Sequence, residues 1–265
     1  PNQFLEILQR KTIVDVYRGD SVEKKLSILF TDIRNFTQFS ESRPAKDVFY
    51  LLNEYMEQLG PIIASNNGFV DKYIGDAIMA LFPNSPEDAV QAAVQMRTAV
   101  LGMRNSIFKD FHLDAGYGIH YGNVMLGTVG GLNRLDTTVI GDHVNIASRL
   151  EGLTKTYSIP LIVSDSIRRN ISKDSSLDFR EIDSVIVKGK SIPIVIYEVL
   201  NVDALEIREA KLASYSVFFE ALQEYKEGDP KKALSSFEEC VRLCPHDTVA
   251  LTYIERIKGH SQTRN

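Results

Sequence analysis

Two aspartates stand where a buried sheet would hold a carboxylate at its rim. Asp32 closes the apolar run LSILFTD, and Asp76 lies within DKYIGDAIMALF. If the two runs are neighbouring strands, both carboxylates can reach the same divalent cations, because hard cations prefer oxygen ligands. Taken singly, Asp32 or Thr37 could cap the following helix, and Asp76 could merely form a turn. The pair predicts a metal site only if the strands are adjacent.

Two segments carry groups suited to a phosphorylated sugar. In FTDIRNFTQFSE, the backbone N–H groups of the helix that follows the turn at Asn35 suit phosphate oxygens. In TVIGDHVNIASRLEGLTK, Asn145 and Arg149 are four residues apart and therefore share a helical face. Together they could orient a sugar and hold a phosphate, although a solvated helix face would show the same spacing.

The elements that must position these residues follow the order β-α-β-β-α-β. This order is typical of a ferredoxin-like α+β core, a mostly antiparallel sheet with helices on one face. Hydrophobic periodicity and turn residues define the individual elements. They are a strand at 26–30, a helix over 48–63 that stops at Asn66-Asn67-Gly68, a hairpin over 69–82 turning at Gly75-Asp76, a helix opening at Pro86, a hairpin over 112–130 turning at Gly122-Asn123, a helix over 143–156, and strands at 161–163, 179–182, 185–187 and 194–199.

The chain divides by composition into a lead-in over 1–25, a main domain over 26–200 and a helical extension over 201–265. In the extension, Ala233, Phe237 and Pro245 match half of a tetratricopeptide repeat. One such helical pair cannot bury its own apolar face. We therefore expect the extension to dock on the main domain, on a second chain or on a partner. A plain helical cap and a partner-binding role are both open.

The composition is ordinary for a globular protein. Of the 265 residues, 44% are hydrophobic and 25% are charged, and the formal net charge is −5. This charge argues against nonspecific nucleic-acid binding, although an anionic ligand could still meet a local cluster of lysines and arginines. Cys240 and Cys244 fall on one face of a helix and are expected to be buried thiols in a reducing compartment.

The chain carries no sign of a membrane or secretory segment. No apolar run approaches the roughly 18 residues that cross a membrane, and no signal peptide is visible. Because the chain begins with Pro1, we expect a fragment from which an upstream sensor or membrane segment has been cut away. The expected location is the cytoplasm.

The motifs, in their order and spacing, resemble the class III nucleotidyl cyclase catalytic domain. The resemblance covers roughly residues 20–200, and the whole chain is most similar to bacterial adenylate cyclases of the cyanobacterial and spirochaete kind. The segments that carry it are FTDIRNFTQFSE, NNGFVDKYIGDAIMALF, GYGIHYGNVMLGTVG, TTVIGDHVNIASRLEGLT and VKGK.

The resemblance implies roles for individual residues. Asp32 and Asp76 match the two metal-binding aspartates, and the backbone carbonyl of Ile33 matches a further ligand, which implies two divalent cations (Mg²⁺ or Mn²⁺) per site. Thr138 stands where many relatives have Asp. The other matches are the phosphate-binding turn Asn35, Phe36 and Thr37, the base-recognition residues Lys72 and Thr138, the ribose-orienting Asn145, the transition-state Arg149, and the triphosphate contacts Arg134 and Lys188.

The implied reaction converts ATP to 3′,5′-cyclic AMP and pyrophosphate. One metal would activate the ribose 3′-hydroxyl that attacks the α-phosphorus, and the other would neutralise the leaving oxygens. Lys72 can donate to adenine N1 and Thr138 can accept from the N6 amino group, yet both could also serve guanine. The lysine, in place of the glutamate of guanylate cyclases, favours ATP. A guanylate cyclase and a non-catalytic dimeric module of the same fold are the alternatives.

The family's head-to-tail dimer implies how the site is completed. The metal aspartates would come from one chain, and Lys72, Thr138, Asn145 and Arg149 from the other, so that a homodimer has two sites. The glycines of GYGIHYGNVMLGTVGG are expected to permit a tightly paired hairpin near the dimer interface. His120 within it is expected to be packed or hydrogen-bonded rather than catalytic.

Overall fold

The structure is a computed structural model that describes residues 2–8, 17, 19–103, 108, 110–131, 134–186 and 193–262. The strands are β1 (Ser21–Ile33), β2 (Phe69–Ile74), β3 (Ala77–Phe82), β4 (Ala115–Gly131), β5 (Arg134–Ile140), β6 (Leu161–Ser164), β7 (Phe179–Val185) and β8 (Ile194–Val199). The helices are α1 (Asn2–Ile7), α2 (Phe36–Ser42), α3 (Ala45–Ser65), α4 (Pro86–Met103), α5 (Asp142–Tyr157), α6 (Asp165–Arg169), α7 (Leu205–Ala213), α8 (Tyr215–Lys226), α9 (Pro230–Leu243) and α10 (Thr248–Gln262), with a 3-10 helix at Leu200–Val202.

Within these residues the strands form one eight-stranded sheet in the order β2-β3-β1-β4-β6-β8-β7, with β5 paired to β4. The β4–β6 pair is parallel, and the other pairs are antiparallel. Strands β2-β3-β1-β4, with α3 and α4 as connections, form the predicted ferredoxin-like core. The α+β fold class is confirmed.

Helices cover both faces of the sheet, although the sequence predicted one. Alternate residues of a strand point to opposite faces, and both sets in β1 include buried apolar residues. Leu29 and Ile33 belong to the core beneath α3 and α4. Ile28 and Phe30 belong to a second core, which Phe4 of α1 and Ala147 of α5 complete. Two buried faces explain why apolar residues occur on both sides of β1 from Leu26 to Ile33.

Strand β4 is continuous, and the predicted turn at Gly122-Asn123 is wrong. The pairing of β4 with β1 runs through this point without a break, with Gly122 opposite Leu26 and Asn123 opposite Lys25. The hairpin partner of β4 is β5 instead. Strand β1 is correspondingly longer than predicted, because residues 21–25 also pair with β4.

The glycines of β4 let α5 lie directly on the strand. A Cβ on Gly118 would fall 2.1 Å from the backbone nitrogen of Glu151 and 2.6 Å from the backbone oxygen of Ala147. A Cβ on Gly122 would fall 2.3 Å from Nδ1 of His143. Gly118 and Gly122 therefore serve the close approach of a helix, whereas Gly127 and Gly130 lie in the part of β4 that forms the hairpin with β5. The expected position of this hairpin near a dimer interface stays a prediction.

The other predicted elements hold with shifted ends. The helix predicted over 48–63 is α3, which ends at the predicted Asn66-Asn67-Gly68 stop. The strands predicted at 179–182 and 185–187 are the single strand β7, and Val187 lies outside the described residues.

The helical extension docks on the main domain. Phe218, Phe237 and Tyr253 of the extension share a buried core with Ile146 and Leu150 of α5 and with residues of β7 and β8. Cys240 and Cys244 are buried, free thiols, as predicted. No described helix combines the length and the apolar character needed to cross a membrane.

A buried cluster of ion pairs fastens the extension to the sheet. Arg180 of β7 donates to Glu198 of β8 and to Asp247, which immediately precedes α10. Lys211 of α7 pairs with the same Glu198 and, at 2.8 Å, with Asp203. Because the side chains of Arg180, Glu198 and Lys211 are almost completely buried, loss of one partner would leave an uncompensated charge in the interior.

Candidate active site

The structure brings Asp32 and Asp76 together. Strand β1, which contains Asp32, pairs with β3, which begins directly after Asp76. The two carboxyl groups lie close enough to shift each other's pKa, and Oδ2 of Asp76 accepts a hydrogen bond of 3.2 Å from the backbone N–H of Ile33. The two strands are therefore adjacent, as the predicted metal site requires.

The environment separates the pKa values of the two carboxyl groups. Burial raises the pKa of Asp76 to about 7, and the hydrogen bond and charge of Asp32 add to the rise. Burial also acts to raise the pKa of Asp32. It is outweighed by hydrogen bonds with Asp76 and Lys155 and by the charges of Lys155 and Arg34, so this pKa lies below its usual value. Two adjacent carboxyl groups that resist joint ionisation are a favourable site for a cation.

The donor set fits Mg²⁺ or Mn²⁺ that is shared with a substrate. Among the described residues, no three His, Cys, Asp or Glu side chains come together as a metal site. Asp32 and Asp76 would supply the carboxylate ligands, and backbone and phosphate oxygens would have to supply the others. Mg²⁺ is commonly bound in this way, through one or two carboxylates and substrate phosphates.

Lys155 is a site residue that the sequence reasoning missed. Its Nζ lies 2.9 Å from Oδ2 of Asp32, because α5 crosses the end of β1. Arg34 lies in the space above Gly116, where a Cβ would meet its guanidinium at 2.6 Å, and it donates to the backbone oxygen of Ile159. The glycine spacing in β4 was the available signal, since it marks where a helix can approach.

The turn after β1 begins α2 without a side-chain cap. Asn35, at the N-terminal cap position, adopts a left-handed conformation with φ of 57°, and its side chain makes no capping hydrogen bond. The alternative in which Asp32 or Thr37 caps this helix is not what the structure has. A cavity of about 520 Å³ opens beside the turn, lined by Arg34, Asn35 and Lys155 among others.

The predicted base-recognition residues are in contact. Nζ of Lys72, on β2, donates to Oγ1 of Thr138, on β5, at 3.0 Å. The same ammonium group lies 3.2 Å from the carboxylate of Asp71, whose side chain is buried. Burial raises the pKa of Asp71, although the charge of Lys72 opposes the rise. The Lys72 side chain is 36% exposed, so its ammonium group can still reach a ligand.

Asn145 and Arg149 project together from the exposed face of α5. His120 is buried, and its ring nitrogens contact Oγ of Ser164 at 2.8 Å and Nδ1 of His143 at 2.7 Å, so it is hydrogen-bonded as predicted. The side chain of Arg134 and the whole of Lys188 lie outside the described residues.

Residues 20–201 match the family model described as adenylate and guanylate cyclase catalytic domain. The chain belongs to this family. The match contains the Asp32–Asp76 pair, the Lys72–Thr138 pair and the exposed face of α5. Because the family includes both adenylate and guanylate cyclases, membership alone does not decide the base.

Three similar proteins are named as adenylate cyclases. The terminal-differentiation specific adenylate cyclase of Dictyostelium discoideum is 37% identical over 97% of this chain. The adenylate cyclase of Anabaena cylindrica is 42% identical over 75% of the chain. The crystal structure of the adenylyl cyclase CyaB from P. aeruginosa has a TM-score of 0.60 at 33% identity, covering 69% of this chain and 96% of that one.

The chain spans only part of its curated relatives, 12% of the Dictyostelium protein and 41% of the Anabaena protein. The Dictyostelium alignment extends beyond residue 201, where the family match ends, and so includes the helical extension.

Proposed function

We propose that this chain is an adenylate cyclase domain that converts ATP to 3′,5′-cyclic AMP and pyrophosphate. The observation that carries the proposal is the contact of Lys72 with Thr138 in a cyclase domain that also pairs Asp32 with Asp76. The names of the similar proteins support the same activity. ATP as substrate favours a cytoplasmic location.

The Lys72–Thr138 pair would read the base. The hydroxyl of Thr138 has two acceptor lone pairs, so it can accept both from Lys72 and from an adenine amino group. The ammonium group of Lys72 has further N–H groups with which it can donate to N1 of the same ring. The buried Asp71 keeps the ammonium group in place. Guanine offers O6 and N1–H at corresponding positions, so the hydroxyl of Thr138 makes guanylate cyclase the second candidate.

The other residues would bind and orient the sugar and the phosphates. Two cations held by Asp32, Asp76 and the carbonyl of Ile33 would lower the pKa of the ribose 3′-hydroxyl and neutralise the leaving pyrophosphate. Asn145 would orient the ribose, and Arg149 would stabilise the charge that develops on the α-phosphoryl oxygens. The turn of Asn35, Phe36 and Thr37 would bind phosphate through its N–H groups, and Arg134 and Lys188 would contact the triphosphate.

We assign the two halves of each site to two chains of a head-to-tail homodimer. One chain would supply the metal half, Asp32 and Asp76, and the other the reading half, Lys72, Thr138, Asn145 and Arg149. We also keep the division into a lead-in over 1–25, a catalytic domain over 26–200 and a helical extension over 201–265.

Complementation between two inactive variants tests the shared site. Asp32→Ala and Arg149→Ala proteins should each be inactive with Mn²⁺ and ATP, because each lacks one half of every site. Mixed, they should regain activity, since one site per mixed dimer combines an intact metal half with an intact reading half. Absence of recovery in mixtures that form dimers would refute the shared site.

A product assay with ATP and GTP, run across protein concentration, tests the base and the need for a dimer. We expect cyclic AMP, with a specific rate that rises with concentration. Turnover of GTP at least as efficient as that of ATP would establish a guanylate cyclase. Nucleotide binding without product, in dimeric protein with metal present, would establish a non-catalytic module.

A further inference from the structure

Helix α5 presents three faces to three different surroundings. Each residue advances a helix by about 100°, so neighbours in sequence point in different directions. Asn145 and Arg149 are exposed. Ala147 and the following turns lie against the glycines of β4. Ile146 and Leu150 are buried against the C-terminal helices. The helix that carries the proposed reading residues is therefore held from two sides, one of which is the extension.

Helix α10 contacts the last residue of α5 through a cation. The guanidinium of Arg256 lies over the ring of Tyr157 at 4.8 Å, and its Nη1 lies 3.4 Å from the phenolic oxygen. The hydroxyl of Tyr157 donates to Asp183 of β7, and the same Nη1 of Arg256 lies 3.4 Å from that carboxylate. A cation stacked on a buried ring in this way is a favourable and directional contact.

Two hydrogen bonds and a ring contact also hold α10 in place. The hydroxyl of Tyr253 donates to the backbone oxygen of Ile182 in β7 at 2.8 Å, and its ring stacks on Phe237 at 4.7 Å. Oγ1 of Thr248 donates to the backbone oxygen of Ser158, the residue that follows α5, at 3.1 Å. Because α10 is anchored to the sheet, Arg256 can hold Tyr157 against a fixed support.

We propose that Arg256 is a positioning residue for the cyclase reaction. From α10 it holds the C-terminal end of α5, and through α5 it sets where Asn145 and Arg149 stand relative to the substrate. This inference rests on the proposed function, in which those two residues act on the ribose and the α-phosphate. A misplacement of about 1 Å in a catalytic group can lower a rate on the order of a hundredfold, so a small shift of α5 would be measurable.

The test uses mixed dimers, in which only one site works. In a mixture of Asp32→Ala and Arg149→Ala chains, the working site takes its reading half from the Asp32→Ala chain. Arg256→Gln on that chain disturbs the working α5 and should lower kcat on the order of tenfold, with a smaller change in KM. The same substitution on the Arg149→Ala chain leaves Asn145 and Arg149 of the working site undisturbed. It can reach that site only through Lys155, which contacts Asp32, so the loss of rate should be clearly smaller.

Lys258→Gln is the matched control, because it also removes a cation from α10 but breaks only an exposed pair with Glu238. It should leave the rate unchanged on either chain. Equal losses from Arg256→Gln on both chains would overturn the inference, since a merely stabilising contact would act on either chain alike.

Hydrogen exchange separates this inference from the proposed function. Amides of residues 142–157 should exchange faster in Arg256→Gln than in the parent protein or in Lys258→Gln, whether or not the protein makes cyclic AMP. Unchanged exchange in α5 would overturn the inference even in an active enzyme. If the two inactive variants never complement, the hypothesis of a shared site is refuted. The inference about Arg256 is then tested by kcat of the two homodimers, which should be lower for Arg256→Gln than for Lys258→Gln.

Discussion

Lys155 gives Asp32 a counterion from its own chain. In the structure its ammonium lies 2.9 Å from the carboxylate, and the hydrogen bond with Asp32 raises the pKa of Lys155. A cation bound at Asp32 would meet this positive charge at close range. The lysine therefore opposes metal binding at a carboxylate that would otherwise carry an unpaired charge.

Lys155→Gln should bind Mn²⁺ more tightly in the absence of nucleotide. Because Lys155 is half exposed, solvent weakens the pair, and we expect a gain of about two- to fivefold, as for exposed ion pairs. Titration of Mn²⁺ followed by the electron paramagnetic resonance of the free ion measures it. Lys258→Gln, which removes a cation from an exposed pair with Glu238, should leave the affinity unchanged. Equal or weaker binding by Lys155→Gln would contradict the role.

Thr138→Val should lower kcat/KM for ATP. The substitution keeps the shape of the side chain but removes the hydroxyl that bonds Lys72, and an unpaired polar group in a binding site costs about 1–3 kcal/mol. Initial rates with ATP should fall about tenfold or more. Thr138→Ser keeps the hydroxyl and should stay close to the parent protein. If valine and serine behave alike, the hydroxyl does not read the base.

Sequence reasoning finds the aspartates but not the lysine, for a physical reason. Asp32 and Asp76 each adjoin their own strand, so their placement follows from local pattern. The position of Lys155 depends on where α5 crosses the sheet, which is a long-range property. Thr138 and Lys72 are also distant in sequence, and only the family resemblance predicted that they act together.

The contact of α5 with β4 depends on glycines of β4. The strand was predicted to turn at Gly122-Asn123, because glycine next to asparagine is typical of turns. In the structure Gly116, Gly118 and Gly122 lie on one face of a continuous strand, and side chains and backbone of neighbouring elements, chiefly α5, occupy the space that their side chains would fill. A glycine pattern of period two thus indicates a helix packed on a strand, which local turn statistics do not distinguish from a hairpin.

Gly118→Ala should destabilise the protein by moving α5. The new methyl group would lie 2.1 Å from a backbone nitrogen of the helix, and backbone cannot rotate away as a side chain can. Overpacking of this kind costs about 1–3 kcal/mol, measured as a fall in the free energy of unfolding in urea. Gly152→Ala is the control, because its Cβ would meet nothing within 4 Å and alanine favours a helix by about 1 kcal/mol. Equal stability of the two variants would contradict the close packing.

The ion-pair cluster around Arg180 makes the attachment of the extension dependent on pH. Burial acts to raise the pKa values of Glu198 and Asp247, but the charges of Arg180 and Lys211 outweigh it and lower both. A group whose pKa is lower in the folded state stabilises the fold above its unfolded pKa, and this contribution is lost as the pH falls through the folded value.

The contribution of Glu198 and Asp247 to thermal stability should therefore vary little above about pH 5 and decline progressively below it. Asp76, whose pKa is raised from 3.8 to about 7, acts in the opposite sense over that interval, so the variants are compared with the parent protein at each pH. The ordinary pKa values of the two groups, 4.5 for Glu198 and 3.8 for Asp247, set the start of this decline. Glu198→Gln should show a shallower acid decline from a lower starting stability, because one of the two depressed groups is gone. Glu239→Gln, at an exposed pair with Arg242, should follow the parent curve. A Glu198→Gln curve parallel to the parent throughout would contradict the role of the cluster.

The sequence predicted only in part how the extension docks. Its apolar positions showed that it must cover some surface, since one helical pair cannot bury its own face. The surface it covers combines residues of α5, β7 and β8, which are separated from it in sequence. No local pattern identifies such a surface, so the main domain, a second chain and a partner all remained open until the fold was known.

The buried network around Arg180 also restricts where a gene fusion or recombination breakpoint can fall without disrupting the fold. The family match ends at residue 201, but Asp203, Lys211 and Asp247 complete a buried network that begins on β7 and β8. A gene fusion or a natural recombination event with its breakpoint at that boundary would pass on Arg180 and Glu198 without the residues that enclose them. The unit that can be inherited or transplanted intact is therefore longer than the unit by which the family is recognised.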